Sequence, residues 1–218
     1  MPAETGRLLA WEDDDAPLAL PDGVRRGLER PAVEAGWRLD AVAGRFVEVS
    51  AAAAGAPLTV ACRLILDAQR QGEPAAWVGR RESCFFPPDA MEAGVDLAAL
   101  AVVRTVDAIG SATAADLLIR SGAFGLVVMD LGVEPRLPLH AQTRLAGLAQ
   151  QHTTALVCLT GKTATRPSIG SLVSLRAHVE RVARESDRFR CEIRVVKDKR
   201  RGPGWRHAEV CRGPDGLH

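Results

Sequence analysis

The chain has no apolar run approaching the roughly 20 residues that span a bilayer, so no membrane-crossing helix is expected. Its first residues carry Glu4 and Asp13 to Asp15 around short apolar pieces, unlike a secretory leader, and the expectation is a cytosolic protein. Charge of one sign is also missing. The 28 basic and 27 acidic residues leave a formal net charge of +1, which gives no global drive toward nucleic acid or an anionic membrane, so such binding would need a local patch. Cysteine is sparse and unpatterned: Cys62, Cys84, Cys158, Cys191 and Cys211 are odd in number, widely spaced and free of any CxxC pair. That argues against a disulfide framework or a zinc site and for reduced, mostly buried thiols.

What is present fits one α/β domain with a substantial core, in 218 residues of 47% hydrophobic content. Residues 1–40 read as a loosely packed arm, with an acidic cluster at Trp11 to Asp15 and a short charged helix near Val24 to Arg30. Residues 41–212 read as the core and 213–218 as a tail. RFVEVS from Arg45 reads as an alternating strand, followed by an alanine-rich loop and by TVACRLILDAQRQG, a helix ended by Gly72. AAWV, LAVV, GLVVMDLG and TALVCLTG give further apolar strands, with TAADLLIRSGAF and HAQTRLAGLAQQHT as helices between them. RRESCFFPPDAMEAGVDL reads as a loop and short helix in front of LAVV, broken in its middle by Pro87 and Pro88, and SIGSLVSLRAHVERVARES reads either as a helix or as a strand pair. The FRCEIRVVKDKRRGPGW segment runs as a strand into a basic turn. Strands alternating with helices predict a mostly parallel twisted sheet with helices on both faces.

In such a sheet the loop after the first strand is where phosphate is held, by backbone amides and a helix N-terminus. A working phosphate loop needs GxxxxGK[ST], its lysine reaching the β and γ phosphates and its hydroxyl binding magnesium. At those four places stand Ala51, Ala56, Pro57 and Leu58. Proline removes a donor as well as the ammonium, and leucine cannot ligate a hard cation, so no nucleotide or metal cofactor is expected.

The flanks of that loop, the later GVDLAAL, the RSGAFGLVVMDL strand and the VVKDKRRGPGWRHAEV segment resemble the RecA recombinase core, in the same order and at compatible spacing, from about Gly44 to Val210. The resemblance implies a RecA-like core with a degenerate phosphate loop. It sets Asp130 at the Walker B aspartate, a vestige without a lysine opposite it, and brings the catalytic glutamate to Arg81 or Glu82. It puts Gly161 at the glutamine that senses nucleotide. EPRLPLHAQTRLAG and GKTATRPSIG stand at the two DNA-binding loops, both shortened, with Lys162 and Arg166 as the cations that remain there. Little or no direct DNA binding is therefore expected. VVKDK resembles the segment whose two lysines reach the neighbouring subunit's ATP, here Lys197 and Lys199. With Arg200, Arg201 and Trp205 they are the candidate partner-binding residues.

A RecA-like chain of this size with an eroded loop and a shortened middle resembles the ImuA family, which is related to RecA and to the cell-division inhibitor SulA. That resemblance implies a non-catalytic accessory protein of the SOS response, acting in error-prone translesion synthesis through contacts with RecA and the pseudo-polymerase ImuB. The alternative is a SulA-like inhibitor of FtsZ. A monomer is expected, because the ATP-bridged interface that holds RecA subunits together has no counterpart. Cys84, Phe85 and Phe86 read as a core edge or an exposed contact patch. His140 and His152 lack partners at metal-ligand spacing, and Ser171 and Ser174 lack a base at a recognisable offset.

Overall fold

A computed structural model describes residues 36–52, 55–83, 85–133, 135–185 and 188–212. The helix expected near Val24 to Arg30, nearly all of the arm, and the tail lie outside them. The described chain opens with Trp37 and the single turn α1 (Leu39–Val42), both buried in the core, so the last residues assigned to the arm belong to the domain.

Five parallel strands run from one edge of the sheet to its middle: β1 (Phe46–Ser50), β2 (Ala75–Arg80), β3 (Leu100–Thr105), at the edge, β4 (Leu126–Asp130) and β5 (Ala155–Thr160). β6 (Leu175–Glu185) lies parallel to β1, and β7 (Arg188–Asp198) and β8 (Arg206–Arg212) complete an antiparallel meander. The order across the sheet is β3-β2-β4-β5-β1-β6-β7-β8. The segment that fitted either a helix or a strand pair is thus mainly the strand β6. Register shifts at Arg176/Ala177 and Arg181/Ala183 interrupt its alternation, which is why its period is ambiguous.

The inner strands lie between two helical layers and are apolar without alternation. β1 was expected to alternate but is buried at all five positions, Glu48 included. On one face α2 (Pro57–Arg70) turns Val60, Leu64 and Ile65 onto Val47, Val49, Val128 and Val157. On the other, α4 (Ala108–Arg120) and α5 (Leu139–Gln151) set Ala115, Ile119 and Leu145 against Val127, Met129 and Leu156. β7 keeps a near-regular buried/exposed alternation, as a strand covered on one face should. Pro87 and Pro88 divide the stretch before β3 into a loop and the short helix α3 (Pro87–Glu92), whose first turn they open, where the missing amide costs nothing. Asp107 caps α4 by accepting the Gly110 amide at 2.7 Å.

Candidate functional site

The carboxyl ends of β1, β4 and β5 point to one side of the sheet, where α/β proteins hold ligands. The Ala51 amide donates to Thr160 O at 3.1 Å, and the loop then folds tightly back on β6. A Cβ at Gly55 would fall 2.4 Å from the Ala51 Cβ and 2.8 Å from Val179 O, so the loop conformation requires glycine there. Ala51 and Ala56 are buried, and Pro57 opens α2 with no side chain capping its first turn. A cavity of about 1080 Å³ opens above this turn, with Ala51, Ala56, Pro57, Leu58, Asp130 and Gly161 among its lining. The four loop positions offer it methyl, pyrrolidine and isobutyl groups, with no ammonium or hydroxyl.

Asp130, at the end of β4, accepts the Ser83 hydroxyl at 2.5 Å and the Gly132 amide at 3.3 Å. Arg81 and Glu82 are exposed on the turn after β2. The Gly161 amide donates to Gly132 O at 2.9 Å, and a Cβ there would come within 2.9 Å of Val133 Cγ2. The backbone of the β5 loop thus closes onto the β4 loop.

The loop that follows is tied down from beneath by a buried carboxylate that its sequence did not reveal. Glu48 in β1 is fully buried and accepts the Thr160 hydroxyl and the Ile169 amide, each at 3.0 Å. Its Oε1 lies 2.6 Å from Lys162 Nζ and its Oε2 3.8 Å from Arg176 Nε, both cations being buried as well. Arg176 also donates to the carbonyls of Arg166 and Thr163. Lys162, which the sequence offered as a solvated loop cation that could touch phosphate, is instead held inside the protein against Glu48. The missed signal was in the topology: an inner strand of a sheet covered by helices on both faces has no solvent face for a glutamate, which then needs cationic partners.

The basic hairpin is organised around Asp198. This carboxylate receives Arg45 Nη2 at 2.6 Å, Trp205 Nε1 at 3.1 Å, and the Arg200 and Arg201 amides at 2.8 and 3.2 Å. Burial alone pushes the Asp198 carboxyl up, but these donors, Arg45 first, outweigh it and hold it below the usual carboxylate range. Trp205 is half-buried and packs on Trp37 with ring centroids 6.4 Å apart. Arg200 reaches the carbonyls of Ala43 and Gly44. Lys197 and Lys199 converge on one carbonyl, Ser171 O, at 3.3 and 2.9 Å. Burial, and then the Lys199 charge beside it, lower the Lys197 ammonium from its ordinary value. Arg201 and Arg206 are exposed.

The remaining candidates separate. Phe85 is buried and stacks on Trp77 at 4.6 Å, Phe86 is exposed, and Cys84 lies outside the described residues. Burial pushes the Cys62 thiol up to about 11 and the Cys191 thiol to about 12, which makes both poor nucleophiles. His140 is exposed and His152 half-buried, and no metal-holding group of His, Cys, Asp and Glu occurs among the described residues. Ser171 enters through its carbonyl, while the Ser174 hydroxyl donates to Phe46 O. Sequence reasoning missed one arrangement: Ser50 Oγ lies 3.2 Å from His178 Nδ1, whose Nε2 is 3.5 Å from Glu180 Oε1. Ser50 is fully buried and donates to Ala177 O at 3.1 Å, so this group ties β1 to β6.

An eight-stranded, mostly parallel sheet with helices on both faces and a strand-loop-helix opening over a cavity defines a RecA-like core. Comparison with known proteins bears on the same class. The chain is 30% identical to the RecA protein of Bifidobacterium breve over 133 residues, covering 52% of this chain and 34% of that one. It is 33% identical to RecA of Salinispora tropica over 132 residues, 56% of this chain and 38% of that protein. Against RecA of Leifsonia xyli the match is 26% over 203 residues, 76% of this chain and 56% of the relative. The chain is related to RecA, weakly and in part, and its matches span from about a third to just over half the length of these relatives. No protein-family model matches it.

Proposed function

We propose that this chain is a non-catalytic relative of RecA that restrains RecA filaments in the response to DNA damage. By doing so it favours error-prone translesion synthesis, in the manner of ImuA-type accessory proteins with an ImuB-type pseudo-polymerase as second partner. The observation that carries this reading is the loop at Ala51 to Leu58. A core related to RecA has Pro57 and Leu58 where a phosphate loop needs its lysine and hydroxyl, and Gly55 wedges that loop against Val179. Such a subunit presents the hairpin side carrying Lys197 and Lys199 to a RecA neighbour while its own opposite side holds no triphosphate for the next one. It acts as a chain terminator in the cytosol, without turnover and with little DNA affinity of its own.

The test is fluorescence anisotropy of labelled single-stranded DNA with RecA and ATP while this protein is titrated in. The expected result is loss of RecA-bound DNA at substoichiometric to stoichiometric ratios, no anisotropy change without RecA, and a weaker effect from Lys197→Ala/Lys199→Ala of unchanged circular dichroism. RecA filaments that form and exchange strands normally at a tenfold excess of the protein would refute it.

A further inference from the structure

The cavity above the loop is large although the loop offers it no phosphate-holding side chain, and its walls are apolar and charged. At about 1080 Å³ it lies above the roughly 300–1,000 Å³ usual for small-molecule pockets. Its floor is the alanine-rich loop and the first turn of α2. One wall is α3 and the segment before it, with Phe85, Phe86 and Ala90, and with the carboxylates of Asp89 and Glu92. The facing wall is formed by residues of β6, the start of β7 and the end of β8, with Arg181, Arg188, Phe189 and Val210. Arg63 also reaches the lining, but Glu209 lies 3.3 Å from its guanidinium. Arg181 is stacked over the Phe189 ring at 4.3 Å, which fixes its charge at the wall.

Three large apolar side chains of the lining stand in solvent: Phe86 is 59% exposed, Val133 74% and Val210 63%. They come from three separate parts of the chain and meet only around this opening. An apolar floor, an apolar rim and charged walls of opposite sign are the features of a groove for a folded or folding segment, where apolar anchors give affinity and flanking charges give orientation.

We propose that this cavity is a docking groove for an amphipathic segment of another protein, with apolar anchors at helical spacing that fill the floor and acidic residues on the flank facing Arg181 and Arg188. The acidic preference follows from the geometry of the cations. Arg181 and Arg188 sit together on one wall, and burying them under a bound segment without counter-charges would leave two desolvated guanidiniums. The carboxylates of the α3 wall in turn select a neutral or basic opposite flank. This reading depends on the cavity alone and stands or falls separately from any effect on RecA.

The experiment uses the full chain as bait for a phage-displayed library of random 16-residue peptides, with counter-selection on the variant Phe86→Asp/Val210→Glu. Both positions are exposed, so the variant is expected to fold. The most enriched peptide is then synthesised and titrated by anisotropy. Expected are sequences with two or three apolar anchors spaced three and four apart and acidic residues on one flank. Their affinity should fall at least tenfold for Phe86→Asp/Val210→Glu and for Arg181→Glu/Arg188→Glu, and stay unchanged for Leu117→Asp, an equally exposed residue of α4 on the other face. Three results would overturn the proposal: no cavity-dependent enrichment, enriched peptides that bind all variants equally, or self-association of the chain that Phe86→Asp/Val210→Glu abolishes, which would make the occupant a second copy.

Discussion

Replacing Glu48 by glutamine should cost more stability than any surface change in the molecule. The carboxylate is fully buried, and around it are Lys162 Nζ at 2.6 Å and Arg176 Nε at 3.8 Å, the latter having no hydrogen-bond partner. Glutamine keeps the shape and an acceptor for Thr160 or Ile169 but leaves two buried cations uncompensated. Removing one partner of a buried pair costs about 3–5 kcal/mol. For a domain of this length each kcal/mol moves the melting temperature by about 2–4 °C, so the loss should be roughly 6–20 °C. Lys162→Met should cost less, because Arg176 and the two neutral donors still satisfy Glu48. Combined with Glu48→Gln it should recover part of the deficit, with a coupling of at least about 1 kcal/mol. Urea unfolding followed by circular dichroism, on the wild type and all three variants, measures the cycle. If Glu48→Gln lies within about 0.5 kcal/mol of wild type, the network is not the anchor of the 161–170 loop and the account of why Lys162 is withdrawn from solvent fails.

Acid should act through two groups with separable signatures. Burial lowers His178 from its ordinary value, against Glu180 and together with Arg194 and Arg176, so below about pH 6.5 the unfolded chain takes up a proton that the folded one refuses. Stability should therefore decline as pH drops from 7 toward 5, and His178→Gln should flatten that part of the curve. Asp198 is held below the usual carboxylate range, so its contribution is complete above about pH 4 and is lost as pH falls further through its folded value. Asp198→Asn should remove that acid limb and, by leaving the buried Arg45 guanidinium unpaired, cost about 3–5 kcal/mol at neutral pH in a denaturant titration.

The central strands were legible in the sequence because a strand covered on both faces must be apolar throughout, and VVM and LVCL show that directly. The residue types at Ala56, Pro57 and Leu58 could be read directly, and the structure adds only that they stand at the start of α2 beside the cavity. β6 was not, since two irregularities in its pairing with β7 disturb the period by which a strand is recognised. Glu48 looked like an outward residue of an alternating strand until β1 was known to be an inner strand. The cavity and the fate of Lys162 depend on residues more than a hundred positions apart in the chain, and no local pattern carries that information.

The clasp between the two ends of the core bears on how this protein is made. Arg45 enters β1 buried, and the carboxylate that neutralises it, Asp198, follows 153 residues later, with Trp205 then closing over Trp37. Synthesised from the N-terminus, the chain carries Arg45 without that partner until the segment 153 residues further on has been made, so this long-range clasp closes after β1 to β6 have left the ribosome. The basic turn is thus also a long-range latch, tying the entry of β1 to a hairpin far along the chain.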